Sequence, residues 1–121
     1  MKVRNVLDQV NEVKPNVFSD ARLMDFLNEA ESMVWSEVLD NDPADYVMLS
    51  VPEDYDADLI APPPYSKFYG AYIQAMIDFQ NEESVSYQNN MEMFNSTFLE
   101  YKKYMQRTDS ALNDYHFRNY W

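Results

Sequence analysis

The sequence predicts an all-α fold, a small bundle of about four helices that includes a long αα-hairpin, with an extended loop or β-hairpin between helices two and three. Three observations predict it. Apolar residues recur at spacings of three and four in four separate segments, the period of a helix with one buried face. Gly70 is the single glycine in 121 residues, so the chain has little use for left-handed turns or Gly-rich phosphate loops. The aromatic-rich segments KFYGAYIQAMIDFQNEE and SYQNNMEMFNSTFLEYKKYM are joined by only a few polar residues, which reads as two antiparallel helices.

Val3, Val6, Leu7 and Val10 share one face of a first helix over residues 2–12, which ends before Lys14-Pro15 because proline disfavours helical geometry in the residue before it. Ser19 followed by Asp20 is a good start for the second: a hydroxyl to accept an orphan N–H, and negative charge at the positive end of the dipole. Leu23, Phe26, Leu27, Ala30, Val34 and Val38 carry its stripe to about Leu39, with Met33 and Trp35 beside it. Trp35 either widens the buried face or anchors an interface.

From Asp40 to Pro64 the helical pattern stops. DNDPAD is turn chemistry, YVMLSVP has the alternation of a short strand or extended arm, and EDYDADLIAPPP is acidic and ends in prolines. Connections of this length tend to be functional or disordered, and a mere tether would not need Tyr46, Val47, Leu49, Val51, Tyr55, Leu59 and Ile60. The expectation is a loop projecting from the helices onto some other surface. Pro64 or a neighbour then opens helix three, whose stripe is Phe68, Tyr69, Tyr72, Ile73, Met76, Ile77 and Gln80. Ser84 can cap helix four, where Tyr87, Met91, Phe94, Phe98, Tyr101 and Met105 form a seam for helix three to cover. Residues 1–107 thus form one helical domain with its loop at 40–64, and residues 108–121 an aromatic tail.

The formal charge is -12, yet 46% hydrophobic and 16% aromatic content is too much for a disordered acidic chain. Between Ser19 and Ala61 stand twelve acids and one base, Arg22, whereas Lys102, Lys103 and Arg107 sit together without an acid. That asymmetry opposes binding along a nucleic-acid backbone and suits head-to-tail contact between copies; it is equally the pattern of a solvated acidic face. Absence of cysteine removes disulfides and thiol chemistry. No apolar run has signal-peptide or membrane-span length, so a soluble, unsecreted protein is expected.

Catalytic equipment is not visible, and no enzyme activity, cofactor or metal is expected. His116, the one histidine, lies in the tail, where it reads as a polar spacer among aromatics. Asp54, Asp56 and Asp58 imitate the start of a calcium loop, but Leu59 and Tyr65 stand where that loop needs Gly and Glu. Asn95-Ser96-Thr97 matches the glycosylation triplet by chance, mid-helix. The expected contact residues are Trp35, Tyr46, Tyr55, Leu59 and Ile60, then Lys102, Lys103 and Arg107, then Tyr115, Phe117, Tyr120 and Trp121. The tail aromatics either dock on the parent helices or order on a partner.

VNEVKPNVFSD followed by a Trp-bearing helix, the entry Pro64-Tyr65-Ser66-Lys67-Phe68-Tyr69, and the patch of Tyr87, Asn89, Asn90, Met91, Met93, Phe94 and Asn95 come in an order and spacing that resembles the head-to-tail connector proteins, or adaptors, of tailed bacteriophages. The resemblance runs from about Val3 to Arg107; the aromatic tail and the acidity of the central loop depart from it. It implies a helical virion protein of the neck, made in the bacterial cytoplasm and assembled as a ring of twelve. Its implied partners are the portal protein, a tail-side stopper or tail-completion protein, and other copies of itself, with genomic DNA passing through the lumen without specific binding. A rival reading is an acidic DNA mimic that inhibits a host nuclease or DNA-binding protein, supported by the charge and opposed by the basic patch near the end.

Overall fold

Among the described residues four α-helices run alternately up and down: α1 (Val3–Val13), α2 (Asp20–Met33), α3 (Lys67–Gln80) and α4 (Ser84–Asn119). The computed structural model describes the backbone of residues 1–119 and the side chains of residues 1–108. Contacts fix the directions. Lys14, just past α1, meets Asp78 near the end of α3 and Ser86 at the start of α4. Glu31, late in α2, meets Tyr69, early in α3. The bundle therefore has a hairpin end, holding the α3–α4 turn, and an opposite end where residues 59–66 lead into α3.

Each helix forms for a reason legible in its residues. α1 buries Val3, Val6, Leu7 and Val10 and leaves its polar face to water. Ser19 Oγ accepts from Arg22 N at 3.2 Å, the expected cap of α2. The run predicted to Leu39 is α-helical only to Met33; Val34–Val38 form a π-helical turn, closed by Leu39 N donating to Val34 O at 3.0 Å. Asp40 then takes a left-handed φ of 57°, a conformation that a short polar side chain tolerates, and ends the helix.

α3 starts at Lys67, three residues later than a proline-led start at Pro64 would give, because residues 63–66 are occupied by turns. Its last predicted stripe residue, Gln80, is exposed. The hairpin turn needs one left-handed residue and uses Glu82, at φ 59°, in place of a glycine. Gly70 itself sits mid-helix with open space where a Cβ would stand. α4 does not stop near Met105: nothing beyond it breaks a helix, there being no later glycine or proline, and the backbone stays helical to Asn119. At 1.5 Å per residue α4 is about 54 Å long and α3 about 21 Å, so α4 outruns its partner.

The core is the seam between α3 and α4, closed on its other side by α1 and α2. Phe68 is fully buried and meets Phe94, Phe98 and Tyr101 at ring separations of 5.3 to 6.3 Å. Burying one such ring is worth about 3 kcal/mol before geometry is counted. Tyr65, stacked on Tyr104 at 4.4 Å, extends the seam past the start of α3. No strand occurs among the described residues; residues 40–66 are extended or turned, with one isolated bridge from Lys2 to Asp58.

Candidate interaction surfaces

Among the described residues two carboxylates are buried, one toward each end of the bundle. Asp78 is fully enclosed and receives hydrogen bonds from Lys14 Nζ, from Ser86 Oγ at 2.7 Å and from Asn90 Nδ2 at 2.7 Å. Burial alone would raise its carboxyl, but those three donors and the Lys14 charge hold it below the ordinary aspartate range. Since the donors come from beyond α1 and from α4, the cluster ties three helices together. Glu31, 3% exposed, accepts from Tyr69 Oη at 2.6 Å and Ile60 N at 2.9 Å. No lysine or arginine pairs with it among the described residues, and desolvation raises its carboxyl despite both hydrogen bonds. Tyr69 Oη also accepts from Ala61 N at 3.0 Å, and burial next to Glu31 pushes its phenol strongly upward.

Residues 46–61 do not project; they lie along α1 and α2 as a strap. Buried Asn28 clamps the strap's start: its Oδ1 accepts from Leu49 N and Tyr46 Oη, and its Nδ2 donates to Leu49 O, each at 2.9 Å. Tyr55 Oη donates to Asp20 at 2.6 Å, an interaction that raises the phenol, and its ring lies beneath the Arg4 guanidinium. Backbone bonds from Val3 N to Ala57 O, Arg4 N to Tyr55 O and Leu59 N to Met1 O sew the strap to the N-terminus. The physical reason is that Leu59 and Ala61 are core residues, so the strap must return to the bundle before α3 starts.

This placement sorts the contact residues expected from the sequence. Leu59 is buried within the subunit, and Ile60 is half-buried with its N–H given to Glu31. Tyr46 and Tyr55 are half-buried and give their hydroxyls to Asn28 and Asp20. Trp35 is half-buried in the π turn, donates from Nε1 to Asp42 O at 2.8 Å and lies 6.3 Å from the Tyr46 ring. These groups hold the strap down. Lys103 and Arg107 are exposed on α4 and Lys102 is half-buried. Tyr115 and Phe117 fall in the helical backbone of α4 with side chains outside the described residues, and Tyr120 and Trp121 lie outside the described residues altogether.

The DYDAD acids have internal partners. Asp54 accepts from Ser50 N at 2.7 Å, Asp56 pairs with Arg4 at 3.2 Å and Asp58 with Lys2 at 3.5 Å. Among the described residues no group of three or more acids or histidines is arranged to hold a metal ion, and no helix is long and apolar enough to cross a membrane.

The surface that sequence reading missed is the hairpin end. Val13, Phe79 and Val85 are 68%, 62% and 75% exposed, and each is the chain neighbour of a member of the Lys14–Asp78–Ser86 cluster. Beside them opens a shallow depression of about 610 Å³ lined by Phe79, Glu82, Glu83 and Tyr87. The available signal was that Phe79 and Val85 are large apolar residues standing off the helical stripes. No family model, curated protein or solved structure matches this chain.

Proposed function

We propose that the chain is a structural subunit of a bacteriophage neck, forming a ring under the portal that connects the DNA-filled head to the tail. The observation that carries the reading is the ordered set of segments resembling head-to-tail connectors, from the VNEVKPNVFSD entry to the Tyr87–Asn95 patch. Two features are in keeping with it. α4 overshoots the bundle, which gives a subunit reach along one direction, and the acidic and basic residues are separated along the sequence, which suits head-to-tail packing. Acidic walls would also let DNA pass without adhering.

The rival, an acidic mimic of DNA, needs carboxylates presented outward in a row. Asp56 and Asp58 do remain exposed, but they pair with Arg4 and Lys2, Asp54 accepts from a backbone amide, and the basic group Lys102, Lys103 and Arg107 on α4 opposes a uniformly acidic surface. The deciding experiment is electron microscopy of particles produced with and without the protein. Filled heads lacking tails in its absence are expected; normal virions would overturn the assignment.

A further inference from the structure

Two exposed surfaces of the subunit match each other chemically and cannot meet within one chain. The first is the hairpin end, where Phe79 and Val85 stand exposed beside Glu82 and Glu83, with exposed Val13 and Glu12 at the adjoining end of α1. Its cation, Lys14, is committed inward to Asp78 and lies 3.8 Å from Glu83, so the surface is apolar with a negative rim. The second is a stripe on α4 made by Leu99, Lys103 and Arg107, which recur at i, i+4 and i+8 and so stand one above another on the exposed side. It is apolar at one end and doubly positive at the other, with half-buried Lys102 beside it.

Helix geometry rules out contact in cis. Lys103 and Arg107 stand nineteen and twenty-three residues beyond Ser84 on one unbroken helix, about 28 and 34 Å from the hairpin end. Only a second copy can bring the basic stripe to the acidic end.

We propose that the hairpin end of one copy seats on the Leu99–Lys103–Arg107 stripe of the next, with Phe79 and Val85 against Leu99 and with Glu82 and Glu83 facing Lys103 and Arg107. Because the two surfaces differ, the contact is heterologous: every copy keeps one free donor and one free acceptor surface until a ring closes. The contact needs only two copies of this chain. It would give the proposed neck ring a specific joint, but it stands or falls independently of that reading.

The test is sedimentation velocity on the full chain and two charge-reversed variants, E82K/E83K and K103E/R107E. Concentration-dependent association of the native chain at low salt is expected, with apparent affinity falling at least about tenfold between 50 and 500 mM salt as surface charges are screened. Each variant alone should be monomeric, whereas an equimolar mixture should associate again, since each then offers the sign the other lacks. Phe79→Ser, an uncharged change at an exposed site, should also weaken self-association while leaving the melting temperature within a few degrees. A native chain that stays monomeric at millimolar concentration and low salt would overturn the proposal, as would a mixture that fails to associate while both variants remain folded.

Discussion

The two buried carboxylates set the two ends of the bundle apart. At the hairpin end Asp78 has a cation and two neutral donors, and its charge is stabilised. At the strap end Glu31 has a phenol and an amide but no paired lysine or arginine among the described residues; desolvation outweighs these two donors and the charge of the N-terminus, and its proton is retained to higher pH. The chemistry is the same and the burial similar, yet protonation moves in opposite directions. The difference teaches that one end is locked by charge, whereas the other is a neutral hydrogen-bond junction where strap, α2 and α3 converge.

Removing the charge lock should have the largest effect. Asp78→Ala leaves half-buried Lys14 with only the more distant, exposed Glu83 and strips Ser86 and Asn90 of an acceptor; a loss of about 3 kcal/mol is expected by chemical denaturation. Its pH signature follows from the lowered carboxyl. The stabilisation is complete above the ordinary aspartate value of 3.8 and drains away as pH falls through the lower folded value, so wild type and variant should converge in acid. A gap unchanged down to pH 2 would show that packing, not charge, holds this end.

The strap's clamp comes next. Asn28→Ala orphans both backbone groups of Leu49 and the Tyr46 hydroxyl, and should cost about 2 kcal/mol while exposing residues 46–51 to proteolysis before global unfolding. Proteolysis only on global unfolding would show that the strap is held elsewhere.

At the neutral junction Tyr69→Phe should cost about 1 kcal/mol, since it removes the donor to Glu31 and the acceptor for Ala61 N. The smallest and most discriminating change is Glu31→Gln. A carboxyl whose folded value is raised above its unfolded value weakens the fold progressively as pH rises between the two. The glutamine variant should therefore gain in melting temperature relative to wild type as pH rises above the ordinary glutamate value of 4.5. A relative loss over that range would mean that Glu31 is ionised and paired.

Helix positions were legible because local signals agree: the Ser19 cap, the α1 stripe and the aromatic seam each specify an element without reference to the rest of the chain. The strap was not, because its alternating apolar residues say that it packs but not on what. Its partners Asn28 and Asp20 are polar residues of a helix that sequence pattern assigns to solvent. The extent of α4 was hidden by its polar stretch after Met105, which lacks a stripe yet contains no helix breaker. Phe79 and Val85 were passed over for a related reason: a stripe selects residues that face the core, and an interaction surface consists of those that do not.

The central claim, that this chain joins head to tail, is tested most directly by locating it. Purified virions treated with gold-labelled antibody to the chain, after mild opening of the neck, should carry label at the single vertex where tail meets head. Label elsewhere on the particle, or a chain present in infected cells but absent from purified virions, would contradict the claim.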